Sequence, residues 1–523
     1  MVEEIDAARL RQFWRRGEEI ALFDVRDEGP YSEAHPFFAV SLPLAQIESR
    51  ISALAPRKST PIVVYDDGEG LVARASERIA AAGYSDVRIL TGGLAEYRRH
   101  GEVFRDVNVP SKAFGELVEA IRHTPSLSAE EVKQVLDART DVVVLDARRF
   151  EEFRAMSIPR GISVPGGELA LRVHDIAPSH DTLVIVNCAG RTRSIIGAQS
   201  LVNAGIPNKV VALRNGTIGW TLAGQKLESG RSDRFGSLSE AAHEKARASA
   251  RRWAERVGVK IIDAATLDRW RSEAETRTLY RFDVRTPEEY TTAHPAGFVS
   301  APGGQLAQAT DEWVATRGAR IVLFDDDGVR ARMAASWLTQ MGWDAVVVDE
   351  GALPKDEAGL PRATRPALRD IGDSGLTPAE AAKLDAAFVD LSPSPAYRNG
   401  HVPGAWFVAG GRLREDLKAV PGTGPIILTS ADGTLAQDNF ADARAATSRP
   451  VHVLLGGLQA WVAEGFAIQQ GAEFWASRPT DVYKRPYEGT DNAAAAMQGY
   501  IDWELQLVAQ LANDGISGFR VER

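Results

Sequence analysis

One pattern returns four times along these 523 residues, and it leaves little freedom in the fold. An apolar strand ending in Asp-x-Arg occurs as "ALFDVRDEGPY" from Ala21, "VVVLDARRFEEF" from Val142 and "LYRFDVRTPEEY" from Leu279; "AAFVDLSPSPAY" from Ala386 keeps the aspartate and loses the arginine. A turn and a short strand follow each time, in "AHPFFAVSLPL", "SIPRGISVPGGEL", "AHPAGFVSAPGGQL" and "GHVPGAWFVAGGRL". Next comes an apolar run that enters a loop and then an alanine-rich helix: "PIVVYDDGEG", "TLVIVNCAGR", "RIVLFDDDGV" or "PIILTSADGT". A last strand with a Gly-containing turn closes three units, as "VRILTGGLAEYRRHG", "VVALRNGTIGWTLAG" and "VHVLLGGLQAWVAEG", while the third ends more weakly at "VVVDEGALP". Strands this short and apolar, alternating with helical stretches, predict α/β units, each a mainly parallel sheet flanked by helices.

Each unit is about 100 residues, enough to bury its own core. The predicted division is 1–106, 107–235, 236–365 and 366–470, followed by a helical C-terminal extension over 471–523. Polar segments separate the units, and the one after the second unit has helical composition around Leu238 to Glu255. In the extension, "AMQGYIDWELQLVAQLAND" predicts one amphipathic helix that packs back on a domain.

Composition removes several functions. With 61 basic against 71 acidic residues the net charge is -10, which repels nucleic acid and anionic membranes unless a basic face is present, and no such face stands out. The acidic, amphipathic start is unlike a secretory signal, and no apolar run reaches the roughly 18 residues of a membrane span, so a cytoplasmic protein is expected. The nine histidines are scattered without an HExxH pattern, and cysteine pairs are lacking, so neither a metal nor an organic cofactor is implied.

The single cysteine, Cys188, falls at the strand-to-helix junction of the second unit. In open α/β sheets this is where ligands sit and where helix N-termini present unpaired N–H groups. The loop Cys188-Ala189-Gly190-Arg191-Thr192-Arg193, with a helix expected from about Ser194, would aim backbone donors at the sulfur and at anything bound to it. Gly190 eases the turn. Nearby arginines and the helix N-terminus favour thiolate over thiol, so ready ionisation is expected. A free cysteine also packs well as a small hydrophobe, but packing alone does not call for "AGRTR" after it. Arg191 and Arg193 are the candidates to hold an anionic group.

Taken together, the Asp-x-Arg strand, the His-Pro or Pro-Gly turn, the cysteine loop and the Gly-Gly-Leu closing strand resemble the rhodanese family of sulfurtransferases, over roughly residues 1 to 470. The resemblance implies that Cys188 takes a sulfane sulfur from a small-molecule donor such as thiosulfate and passes it on as a persulfide cradled by the loop backbone. Related phosphatases and arsenate reductases carry arginine six positions after cysteine, whereas Arg193 stands five after Cys188, which favours sulfur transfer. "CAGRTR" also differs from the "CGSGVT" loop of mercaptopyruvate enzymes, which favours thiosulfate. With no second thiol, the sulfur must leave to an outside acceptor: cyanide, sulfite, a small thiol or a partner protein's thiol.

The position of Cys188 is taken by Asp66, Asp325 and Ser430 in the other units. None can carry a persulfide, and each is expected to cap its helix. "TSADGT" around Ser430 lacks the G-x-S-x-G elbow of a hydrolase. Asp146 and Arg148 are expected to pair beneath the loop as a support, since the same pair occurs in two cysteine-free units. Trp220 is a candidate for the pocket mouth, although Trp461 at the matching place argues for packing. Three cysteine-free units in four also admit a second reading, a sulfur-carrier or protein-interaction scaffold.

Overall fold

The computed structural model describes residues 3–138, 141–360 and 365–523; residues 1–2, 139–140 and 361–364, the last within the linker before the fourth repeat, lie outside the described residues. In the second repeat five strands run parallel in the order Gly161–Ser163, Val142–Asp146, Leu183–Asn187, Val210–Leu213, Ser126–Leu127. The third repeat has the same order with Val299–Ser300, Leu279–Asp283, Arg320–Phe324, Asp344–Val348 and Lys260–Ile262. So does the fourth, with Trp406–Phe407, Ala387–Asp390, Ile426–Thr429, Val451–Leu454 and Gly375–Leu376. The first follows it with Ala39–Ser41, Ile20–Asp24, Ile62–Tyr65, Val87–Leu90 and Glu3–Ile5. Helices cover both faces of these sheets, which is why central strands such as Leu183–Asn187 are apolar without alternation and buried throughout.

The chain forms two compact units. One comprises Met1–Ala7, Ala21–Val107 and Ala363–Tyr483, and so holds the first and fourth repeats; the other comprises Ala8–Ile20, Asn108–Arg362 and Lys484–Arg523, and holds the second and third. The helical composition after the second repeat becomes the helix Glu240–Val257, whose first turn is capped by the Ser239 hydroxyl accepting from Ala242 N–H. The single helix expected in the extension is instead two, Ala494–Glu504 and Leu507–Asp514. Gln506 N–H bonds back only three residues, to Trp503 C=O, and this tight turn changes direction so that Leu507 and Leu511 are buried as well as Tyr500 and Glu504. No helix among the described residues is long and apolar enough to cross a membrane.

The Asp-x-Arg motif has one structural role in three repeats. Asp24 with Arg26, Asp146 with Arg148 and Asp283 with Arg285 form buried ion pairs at 2.6, 2.8 and 2.6 Å. Each arginine also donates to a carbonyl eight residues on, of Ala34, Met156 or Ala293, fastening the strand end to the following turn. In the fourth repeat Ser392 N–H donates to Asp390 at 2.8 Å where the arginine is missing. His35, His294 and His401 stack on Tyr31, Tyr290 and Tyr397 within these cysteine-free repeats, a packing role that accounts for three of the scattered histidines.

Candidate active site

The strand Leu183–Asn187 ends beside Val142–Asp146, with Asn187 opposite Asp146 in register. Asn187 Nδ2 donates to Asp146 Oδ2 at 2.7 Å, and Arg148 donates to both oxygens of the same carboxylate, so the floor beneath Cys188 is fixed by hydrogen bonds. The chain then turns through Cys188 to Arg191 into the helix Thr192–Ala204, two residues earlier than expected. A second tie comes from the closing motif: Thr217 N–H donates to Cys188 C=O at 2.9 Å and Ile218 N–H to Ala189 C=O at 3.0 Å. Gly216 makes this approach possible. Its φ is +54°, and a Cβ there would lie 2.3 Å from the Cys188 oxygen. Gly93 and Gly457 meet the carbonyls of Asp66 and Ser430 in the same way at 2.5 and 2.0 Å, which explains why this second position of the closing turn is glycine in three repeats. Gly216→Ala is accordingly expected to cost about 2–3 kcal/mol and to disturb the loop, readable as a lowered melting midpoint and faster alkylation of Cys188.

The cysteine-free repeats reveal what the loop does. Asp66 Oδ2 accepts from Leu71 N–H at 2.6 Å and Val72 N–H at 3.3 Å; Asp325 Oδ2 accepts from Ala331 N–H at 2.8 Å; Ser430 Oγ accepts from Ala436 N–H at 3.3 Å. In all four repeats the N–H six positions on points at this side chain, and in the second it is that of Ser194, whose N–H and hydroxyl both favour the sulfur anion. Capping by Asp66, Asp325 and Ser430 is as the sequence reading expected.

Ready ionisation of the thiol needs correcting. Cys188 is 1% exposed, and burial pushes its thiol up; Arg193 and Ser194 oppose this, and Asp146 below adds to it. The N–H donors are in place, but the resting loop is too dry for the thiolate to form as freely as charge count alone suggested.

Neither arginine stands uncommitted. Arg191 Nε and Nη2 donate to Glu116 at 2.7 and 2.8 Å, Nη1 donates to Asn215 at 3.0 Å, and Nη2 also reaches Glu119. Arg193 forms a two-pronged pair with Glu152 at 2.7 and 2.9 Å, and its charge acts on Cys188. That pair has a counterpart in the third repeat, where Arg330, also five positions after the loop residue, holds Glu289 at 2.6 and 2.9 Å. Part of the role of Arg193 is thus structural. Although burial alone would raise it, Arg193 holds the Glu152 carboxyl at about 2, against an ordinary 4.5. A depressed carboxyl stabilises the fold fully above its unfolded value and loses that contribution as pH falls through its folded value. The stability gap between wild type and Glu152→Gln should therefore be about 1–2 kcal/mol near neutrality, allowing for solvent screening. It should close as pH falls from about 5 to 2, as followed by denaturant titration at each pH.

Cys188, Gly190, Arg191, Thr192 and Arg193 line a cavity of about 360 Å³ within the second compact unit. Trp220 does not; it is buried in the sheet core with Nε1 donating to Lys226 C=O, as the packing reading had it. Residues that sequence reasoning missed form part of the wall, among them Lys112 from the helix Val109–Arg122, Gln308 and Glu312 from the third repeat, and Tyr487, Tyr500 and Glu504 from the extension. Lys112 Nζ lies 5.4, 5.1 and 5.5 Å from the ring centres of Tyr487, Tyr500 and Trp503, a cation–π cage that fastens the extension beside the loop. The only signal in the sequence was the amphipathic character of the extension.

The family model described as Rhodanese-like domain matches residues 7–100, 128–223, 263–355 and 377–464. The chain belongs to the rhodanese family. A crystal structure described as thiosulfate sulfurtransferase from Pseudomonas aeruginosa is 51% identical to it, with a TM-score of 0.97 and full coverage of both chains. A curated relative, "Putative sulfur carrier protein YrkF" of Bacillus subtilis (strain 168), is 29% identical over 97 residues, which are 18% of this chain and 51% of that protein; the chain spans about half the length of this curated relative.

Proposed function

We propose that this protein is a sulfurtransferase whose chemistry is confined to the rhodanese domain 107–235. Cys188 thiolate attacks the outer sulfur of a sulfane donor. With thiosulfate, the donor's S–S bond breaks and sulfite leaves with the electron pair, giving Cys188–S–S⁻. An outside nucleophile such as cyanide, sulfite or a thiol then takes the terminal sulfur and releases Cys188 thiolate. The backbone of Ala189, Gly190, Arg191, Thr192 and Arg193 would cradle the persulfide, with Ser194 N–H behind it. Arg193 would contribute its charge to the donor's anionic end, while Arg191, gripped by Glu116 and Asn215, would hold the loop's shape. Asp146 and Arg148 would support the floor.

The observation that carries this reading is the contrast among the four repeats: one loop position holds sulfur beside a cavity of about 360 Å³, and the other three hold capping oxygens. A cavity of that size, with the sulfur almost wholly covered, suits a small donor better than a protein surface. Thiosulfate as the donor is supported by the loop sequence and by the name of the 51% identical relative. Initial rates of thiocyanate formation from cyanide test it, with thiosulfate and 3-mercaptopyruvate compared as donors and p-nitrophenyl phosphate tried as an ester substrate. Saturable turnover fastest with thiosulfate is expected. Preference for mercaptopyruvate would overturn the donor, and phosphate release would overturn the reaction class. Failure of every small donor, with sulfur accepted only from a protein persulfide, would favour the carrier reading.

A further inference from the structure

The helix Ala494–Glu504 places Tyr500 and Glu504, one turn apart, directly against the cysteine loop: a Cβ added to Gly190 would lie 3.1 Å from Tyr500 Cε1 and 3.5 Å from Glu504 Oε2. Glu504 is fully buried and lines the cavity. Its Oε1 accepts from Tyr500 Oη at 2.8 Å and from Thr192 Oγ1 at 3.4 Å, and its Oε2 is buried with no hydrogen-bond partner among the described residues. A buried polar atom left unpaired beside a ligand-sized space is costly unless something that enters the space satisfies it.

The surrounding charges say in which form Glu504 waits. The helix Val109–Arg122 brings Lys112 and Glu116 toward it, the loop brings Arg191, and its own helix brings Tyr500, while the helix Gly216–Leu222 carries no titratable side chain. Arg191 is already spent on Glu116 and Glu119, and Lys112 is shared with its aromatic cage. Burial, with Glu116 nearby, pushes the Glu504 carboxyl well above the usual carboxylate range and so favours the protonated acid, whose O–H can donate.

Resting on the sulfurtransferase reading above, we propose that Glu504 is a donor-recognition residue: its carboxylic acid hydrogen-bonds, through Oε2, an oxygen of an anionic sulfane donor lying over the cysteine loop. The proton stays on Glu504, and no bond forms or breaks. Recognition is selective because a neutral donor gains little from the contact, and because ionised Glu504 would repel the dianion that the acid attracts.

Two rates measured on the full chain between about pH 6.5 and 9.5 isolate this effect. One is kcat/KM for thiosulfate, and the other is the rate of alkylation of Cys188 by iodoacetamide, a neutral reagent. Both need the thiolate, so their ratio cancels the ionisation of Cys188 and retains the response to donor charge. In the wild type the ratio should fall about tenfold as pH rises through the titration of Glu504. Glu504→Gln, which cannot ionise, should abolish the fall, and its alkylation rate reports whether the loop is intact. Tyr500→Phe removes a donor that favours the carboxylate, so its fall should move to higher pH. A wild-type ratio independent of pH, or an unchanged fall in Glu504→Gln, overturns the proposal alone. No loading from thiosulfate by a wild type that alkylates normally overturns the reading of the site and this inference with it.

Discussion

Cys188→Ser is expected to lower thiocyanate formation from thiosulfate and cyanide by at least about a thousandfold while leaving the protein folded. A serine oxygen cannot accept a sulfane sulfur and leave again at neutral pH, so the loss falls on the chemical step. The fold should tolerate the change because the chain already contains it: Ser430 stands at the same loop position in the fourth repeat and accepts from Ala436 N–H. The serine in the second repeat should likewise accept from Ser194 N–H. Rates measured beside circular dichroism melts check both halves of the expectation. Retained turnover would remove Cys188 from the mechanism, and a collapsed melt would show that the sulfur was chiefly a packing group.

The second large effect is on stability. Arg148→Ala should destabilise the unit that holds Cys188 by about 3–5 kcal/mol, because it strands a buried carboxylate that the arginine now meets at 2.8 Å with both partners almost wholly covered. Asn187 alone would remain on Asp146 Oδ2, and the Met156 carbonyl would lose its donor. A loss of that size is a large part of the stability of any one domain. The chain has two compact units, so a single global unfolding curve would mix them. The lone cysteine solves this: its exposure to a thiol reagent across a urea series reports on its own unit. The Arg148→Ala midpoint should drop clearly. Asp146→Asn combined with Arg148→Leu, which removes both charges, should cost less than Arg148→Ala alone.

Much of the fold was legible because the repeat unit states its rules four times. The Asp-x-Arg strand ends, the apolar central runs and the closing glycines each have a local physical cause, and recurrence in cysteine-free repeats identified which of them are structural. That logic read Asp146 and Arg148 as an ion pair, and they form one at 2.8 Å; applied to Arg330 it extends to part of the role of Arg193. What could not be read was set by distance along the chain. All four repeats bury similar faces, so the pattern does not say that the first joins the fourth and the second joins the third. The arginines advertise charge but not partners, and Glu116 and Glu119, which occupy Arg191, lie on a helix in a segment that reads as a polar linker. Ionisation of Cys188 was overestimated because sequence counts charges and cannot count lost water. Glu504 was invisible for the same reason: nothing in "YIDWELQL" tells that this glutamate is buried against Gly190.

The central claim, that Cys188 carries sulfur, is tested most directly by the intact mass of the protein after exposure to thiosulfate and removal of excess donor. A gain of about 32 Da, absent in Cys188→Ser and erased by cyanide with release of thiocyanate, is the predicted result. An unchanged mass, from a protein whose thiol iodoacetamide still alkylates, would contradict it.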